Sequence, residues 1–223
     1  CIRDRYNPLK DFKAVARMNY SAACMIVRSD SKHKTLKSLF DEAKSSKGKM
    51  KLGHSGMWGA TMVPMAQILS WAKVQVNLTP FKGGGPSMQG LLSGDVEAIL
   101  QFPSGINAQG DKVRTLACGA KEKSLGNPPV LSDLGFPGQI GYMDRIILAP
   151  AGTPDDRIKI LQSALSKLKD DKTFKKFMKR LGENTAYMNG PEYEKVRADK
   201  SEKYKDLVKI CLLYTSPSPR DVE

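Results

Sequence analysis

Histidine and cysteine are scarce in this chain, two and four among 223 residues, and their spacing excludes more than their number does. Cys1, Cys24, Cys118 and Cys211 form no Cys-x-x-Cys pair and keep no metal-ligand spacing with His33 or His54, so neither a structural zinc site nor a disulfide framework is expected. No apolar run approaches the roughly 18 to 20 residues of a membrane-spanning helix. Acids are outnumbered, 23 Asp and Glu against 36 Lys and Arg, for a formal net charge of +13. Hydrophobic residues make up 40% of the chain and are spread evenly, which makes a packed core feasible and excludes a disordered or collagen-like chain. The length suits one large domain or two small ones of about 100 residues each.

The two ends read differently from the rest. Cys1-Ile2-Arg3-Asp4-Arg5 shows neither an initiator Met nor the pattern of a signal peptide, and an internal fragment is expected. Residues 211–221 resemble the translated end of a transposon-based sequencing adaptor, so 210–223 are expected to be a non-native tail. That tail carries one Arg, one Asp and one Glu, so the basic excess belongs to the remainder.

Strand-like and helix-like segments alternate from residue 20 onward. Residues 24–27 are a short apolar run suited to a strand buried on both faces, and 35–44 place Leu36, Leu39, Phe40 and Ala43 on one helical face. A strand at 49–52 leads through loop 53–59 to a helix at 60–72, and a strand at 75–79 leads through loop 80–86 to a helix that Pro86 opens. Further strands are expected at 96–102 and 113–118. Residues 140–150 are a long extended stretch. Thr153 then caps a helix with Pro154 first, whose apolar face is Ile158, Ile160, Leu161, Leu165 and Leu168. Phe174, Phe177, Met178 and Leu181 line the next helix, and Pro191 opens a last one ending near Lys209. The alternation predicts an α/β fold with a mostly parallel sheet, which binds ligands at the carboxyl ends of its strands.

Both glycine-rich loops fall at such ends. A loop of this kind turns free backbone N–H groups inward, and the following helix adds partial positive charge, so it suits an anion. Candidate donors are the N–H groups of Ser55, Gly56, Met57 and Gly59 with the hydroxyls of Ser55 and Thr61. The second loop offers the N–H groups of Gly83, Gly84 and Gly85, the Ser87 hydroxyl and nearby Lys82. Taken singly, such glycines more often just make tight turns; two such loops on one sheet favour the anion reading. Lys82 precedes the glycines, so the phosphate-loop pattern fails, and neither loop fits Gly-x-Gly-x-x-Gly. His54 beside Ser55 is no nucleophile and base, because neighbours on an extended loop point apart and no Gly-x-Ser-x-Gly elbow is present. Trp58 and Phe81 either wall a ligand pocket or pack in the core. The lysine-rich stretch from Lys167 to Arg180 alternates with apolar helical positions and reads as a solvated face; nucleic acid is not expected.

The succession of Asp11-Phe12, Val27-Arg28-Ser29-Asp30, Lys37-Ser38-Leu39, the loop at 53–59, Pro80-Phe81-Lys82-Gly83-Gly84-Gly85-Pro86, Leu91-Leu92-Ser93-Gly94-Asp95-Val96 and Ala149-Pro150-Ala151-Gly152-Thr153-Pro154 resembles the tripartite tricarboxylate transporter receptors, also called Bug solute-binding proteins, over about residues 7–209. The resemblance implies a periplasmic-binding-protein-like α/β fold with two domains around a cleft. Residues 1–28 and 140–209 would form an incomplete domain I, and 29–139 domain II. Strands near Val27 and Gly141 would be the hinge. It also implies a periplasmic, monomeric receptor that binds a small carboxylate, hands it to membrane permease subunits, and uses no catalytic residue, cofactor or metal. The implied ligand contacts are His54, Ser55, Gly56, Met57, Trp58, Gly59, Thr61, Phe81, Lys82, Gly83, Gly84, Gly85, Pro86, Ser87 and Gln101. Departures from the family pattern include Phe81 for a usual Tyr, Gly90 for a common Asp, Met62 for His, and neutral Gln101 where relatives carry Asp. The last favours a carboxylate without an ammonium group. Rival readings are an enzyme acting on a small anion, with His54 and Lys82 as its titratable groups, and the effector-binding domain of a transcriptional regulator.

Overall fold

The structure is a computed structural model and describes residues 6–57, 59–137 and 142–212. In chain order its elements are β1 (Phe12–Ala22), β2 (Cys24–Arg28), α1 (Leu36–Ser45), β3 (Lys51–His54), α2 (Met62–Ala72), β4 (Asn77–Pro80), α3 (Gly84–Ser93), β5 (Ala98–Gln101), α4 (Pro103–Asn107), β6 (Val113–Cys118), β7 (Tyr142–Pro150), α5 (Asp155–Ser166), α6 (Lys172–Arg180), β8 (Met188–Asn189) and α7 (Gly190–Leu212). They divide into two units, one of Cys1–Ser21 and Met143–Lys205, the other of Ala22–Tyr142 and Asp206–Glu223.

The second unit is built on a five-stranded sheet in the order β4-β3-β5-β2-β6. β3 runs parallel to both β4 and β5, while β2 is antiparallel to β5 and β6, so β2 alone opposes the common direction. The carboxyl ends of β4, β3 and β5 therefore lie side by side. β2 is buried on both faces, as its apolar sequence predicts, and Ile26 packs with Met88, Leu91, Val96, Ile99 and Ile106 beneath α3 and α4. Helix α1 starts at a reciprocal cap, in which the Thr35 hydroxyl accepts from the Ser38 N–H and Ser38 Oγ accepts from the Thr35 N–H, and it buries Leu36, Leu39, Phe40 and Ala43.

Two expectations are overturned here. Cys24 and Cys118 face each other across the β2–β6 ladder and are joined by a disulfide. Their sequence separation of 94 hid the pairing, because cross-strand register decides it and spacing does not. The domain boundary also moves: residues 22–28 belong with the second unit, where Val27 pairs with both Ala98 and Arg114. The first unit's opening segment ends at Ser21. Gly141, the other hinge residue expected from the sequence, lies outside the described residues, as do residues 213–223 of the tail.

The first unit carries a three-stranded sheet in the order β7-β1-β8. The long strand β1 is missed by the sequence reading, because its Lys, Ala, Arg and Asn positions are weak strand formers. Buried polar groups tie this unit together. Glu183 accepts from Ser21 Oγ, from Asn19 Nδ2 at 3.3 Å and from the Arg145 guanidinium at 3.0 and 3.2 Å. On another strand position Asp144 accepts from Tyr193 and Lys200 and lies 3.6 Å from Arg17. Burial beside the Asp144 carboxylate pushes the Tyr193 hydroxyl well above the usual phenol range. Helix α5 begins one residue later than predicted: Pro154 occupies the cap and no side chain bonds the first turn. Its predicted apolar face is only partly covered, with Ile158 buried and Ile160 and Leu161 exposed. In α6 Met178 is buried while Phe177 faces solvent beneath the Arg180 guanidinium.

Candidate functional site

Loop 53–61 follows β3 and the segment 81–83 follows β4, so adjacent parallel strands deliver the two glycine-rich turns to one edge of the second unit. The Phe81 N–H donates to the His54 carbonyl at 2.9 Å, carrying the ladder of β3 and β4 one step into the loops. Gly56, at φ +130°, holds a conformation that side chains rarely adopt, and a β-carbon there would lie 3.7 Å from the Phe81 carbonyl.

The first loop is satisfied largely from within. The Ser55 N–H donates to Thr61 Oγ1 at 2.8 Å, the two hydroxyls lie 2.8 Å apart, the Gly56 N–H reaches His54 Nδ1 at 3.3 Å, and the Gly59 N–H donates to the Gly56 carbonyl at 3.1 Å. His54 Nδ1 lies closer to the Gly56 carbonyl, at 2.9 Å, than to the Gly56 N–H and serves one of them at a time. Two of the four N–H groups that the sequence offers as anion donors, those of Ser55 and Gly59, thus have a partner already, which corrects that expectation for them. The reason is that a loop of small residues can fold back on itself. Met57 is exposed, and Trp58 lies outside the described residues. His54 is buried, and desolvation lowers its pKa below the ordinary histidine value of 6.5, against the raising effect of the Gly56 carbonyl, so the ring is neutral at pH 7.

The second loop is open. Gly83 caps α3 at φ +111°, and no side chain caps that helix. Gly84 and Gly85 are its first two residues, whose N–H groups have no intrahelical acceptor, and Pro86 has no N–H to leave unpaired. The helix dipole adds to these two donors, and exposed Lys82 stands two residues before the first of them. Ser87 is buried and its hydroxyl lacks a partner. Segments 53–61, 80–87 and 101–105 contain no Asp or Glu; Lys82 is their one charged side chain with His54 neutral.

Two sequence-stated contacts take other roles. Phe81 turns inward: a β-carbon at Gly53 would lie 2.9 Å from its Cε2 and one at Gly90 2.5 Å from its Cε1, so the half-buried ring packs against the core. Gln101 ends β5 and spends its carboxamide on the backbone, donating to Gly84 at 3.2 Å and accepting from the Phe102 N–H at 2.9 Å. The sequence reading missed α4, which Gln101 abuts; Pro103 at its first turn was the available signal. Among the described residues no cluster of three or more His, Cys, Asp or Glu can hold a metal ion.

Comparison with known proteins bears on this arrangement. The family described as "Tripartite tricarboxylate transporter family receptor" matches residues 3–213. A curated relative, "UPF0065 protein in gbd 5'region" of Cupriavidus necator, is 26% identical over 206 residues, which cover 91% of this chain and 63% of the relative. Among solved structures, a protein of R. palustris with adipate superposes with a TM-score of 0.84 at 16% identity, covering 92% of this chain and 70% of that one. MatC of Rhodopseudomonas palustris with bound malate gives 0.80 at 22% identity, covering 91% and 71%. These likenesses establish a shared fold over nearly all of this chain, which spans less than two thirds of the curated relative's length.

Proposed function

This chain belongs to the tripartite tricarboxylate transporter receptor family, and on that premise we propose that it is an extracytoplasmic receptor that binds a small carboxylate and delivers it to a membrane transporter. The observation that carries the reading is the uncapped start of α3: two glycine N–H groups, a helix dipole and Lys82, with no carboxylate on the neighbouring loops. Such an edge attracts a carboxylate and places no negative charge opposite an ammonium group. The ligand class is therefore a carboxylic acid without an amino group, as in the relatives whose structures hold adipate and malate.

The Cys24–Cys118 disulfide supports a periplasmic location, since such bonds persist in oxidising compartments. Binding requires no covalent chemistry. His54 is held neutral and its Nδ1 lies 2.9 Å from the Gly56 carbonyl, so it is poorly placed to activate a nucleophile.

Thermal denaturation with mono-, di- and tricarboxylates, and with the amino acids of matching length, tests the reading. A ligand at 100 times its Kd stabilises the native state by about 2.7 kcal/mol, a readily measured rise in Tm. A rise with amino acids and none with the plain acids would overturn the proposed class; turnover of any of them would overturn the receptor.

A further inference from the structure

The side chain of Gln101 lies between two glycines. A β-carbon at Gly84 would stand 3.3 Å from its Nε2, and one at Gly105 2.9 Å from its Cδ, so the absence of side chains at both positions makes the channel it occupies. Within that channel its Nε2 donates to the Gly84 carbonyl and its Oε1 accepts from Phe102, the residue that caps α4. One buried amide thus joins the first turns of α3 and α4.

The bond to Gly84 has a consequence for the donor next to it. The Gly84 carbonyl and the Gly85 N–H belong to one planar trans peptide and point in opposite directions, so fixing the first fixes the second. Glycine has the freest backbone of any residue, and three in a row, Gly83 to Gly85, would otherwise leave this turn loosely aimed. We propose that Gln101 is a positioning residue: it acts through the Gly84–Gly85 peptide, holding the α3 donors in the direction in which they meet the anion. This rests on the assignment of that helix start as the carboxylate site. It also accounts for glutamine there. An ionised Asp or Glu accepts from Phe102 but has no proton for Gly84, whereas a neutral amide does both.

Amide hydrogen exchange in the ligand-free protein reads the clamp directly. The Ser87 N–H closes the first turn on the Gly83 carbonyl at 3.2 Å. Gln101→Met keeps the length and removes both bonds; it is expected to speed exchange at Ser87 about tenfold and to weaken adipate binding by a similar factor, the scale of one or two lost hydrogen bonds. Gln101→Glu adds a readout that space-filling alone would not move. Its neutral acid donates to Gly84 and its carboxylate does not, so protection at Ser87, corrected for intrinsic exchange, should recover as the pH falls towards the ordinary glutamate pKa of about 4.3. Should the methionine variant not fold, Gly105→Ala, which displaces the amide without changing it, is expected to give the same faster exchange. Unchanged exchange at Ser87 overturns the clamp, whatever happens to adipate binding. Faster exchange in the variants of a protein that none of the mono-, di- and tricarboxylates stabilises leaves the clamp standing and overturns the carboxylate site.

Discussion

The ring of Phe81 occupies the space that a side chain at residue 90 would need: a β-carbon on Gly90 would come within 2.5 Å of Phe81 Cε1. An aromatic ring turned inward from loop 80–86 therefore needs a bare backbone at this point of α3. Gly90→Ala is expected to destabilise the second unit by about 1 to 3 kcal/mol through overpacking, read as a lower midpoint in urea. Phe81→Leu in the same background should recover part of the loss. Additive effects of the two substitutions would contradict the contact.

The disulfide between Cys24 and Cys118 closes a loop with a sequence separation of 94. Replacing both cysteines by alanine is expected to cost about 2 to 5 kcal/mol, and a reductant should lower the Tm of the parent protein while leaving the double variant unaffected. Equal sensitivity of the two to reductant would mean that the bond does not form in solution.

Glu183 is buried and holds Arg145, Ser21 and Asn19 in the first unit. Glu183→Ala leaves the buried Ser21 hydroxyl and Asn19 amide without their acceptor, while the Arg145 side chain, 35% exposed, can turn to water, so the substitution should cost about 1 to 3 kcal/mol in denaturant titrations. The exposed pair of Lys37 and Asp41 on α1 is the contrast; Lys37→Ala should change stability by less than the error of the same measurement.

His54 provides a pH dependence whose sign follows from its burial. Its native pKa lies below the unfolded value of 6.5, so between the two the unfolded chain binds a proton that the native ring refuses. Stability should rise with pH through that window and level off above about 6.5. In His54→Asn the slope just below pH 6.5 should flatten relative to the parent; an unchanged difference curve would mean that the native imidazole titrates normally.

Much of the second unit was legible in the sequence. Hydrophobic spacing located α1, Pro86 marked α3, which begins two residues earlier at Gly84, and the alternation of strands and helices placed both glycine loops at carboxyl ends of a mostly parallel sheet. These features are local: helical and strand periods, Pro at first turns, Gly at helix ends. The first unit was less legible. β1 carries no strong strand signal and is held by its neighbours β7 and β8, which come far later in the chain.

The amino-acid sequence by itself determined the class of fold, the positions of the two turns and the absence of any acid beside them, because each depends on residue type and near neighbours. Tertiary structure alone decided which groups in those turns remain open. Ser55 and Thr61 bond each other, Phe81 points into the core, Gln101 serves the backbone, and Cys24 meets Cys118. Those outcomes depend on strand register and on where a missing β-carbon leaves room, and residues distant in sequence set both.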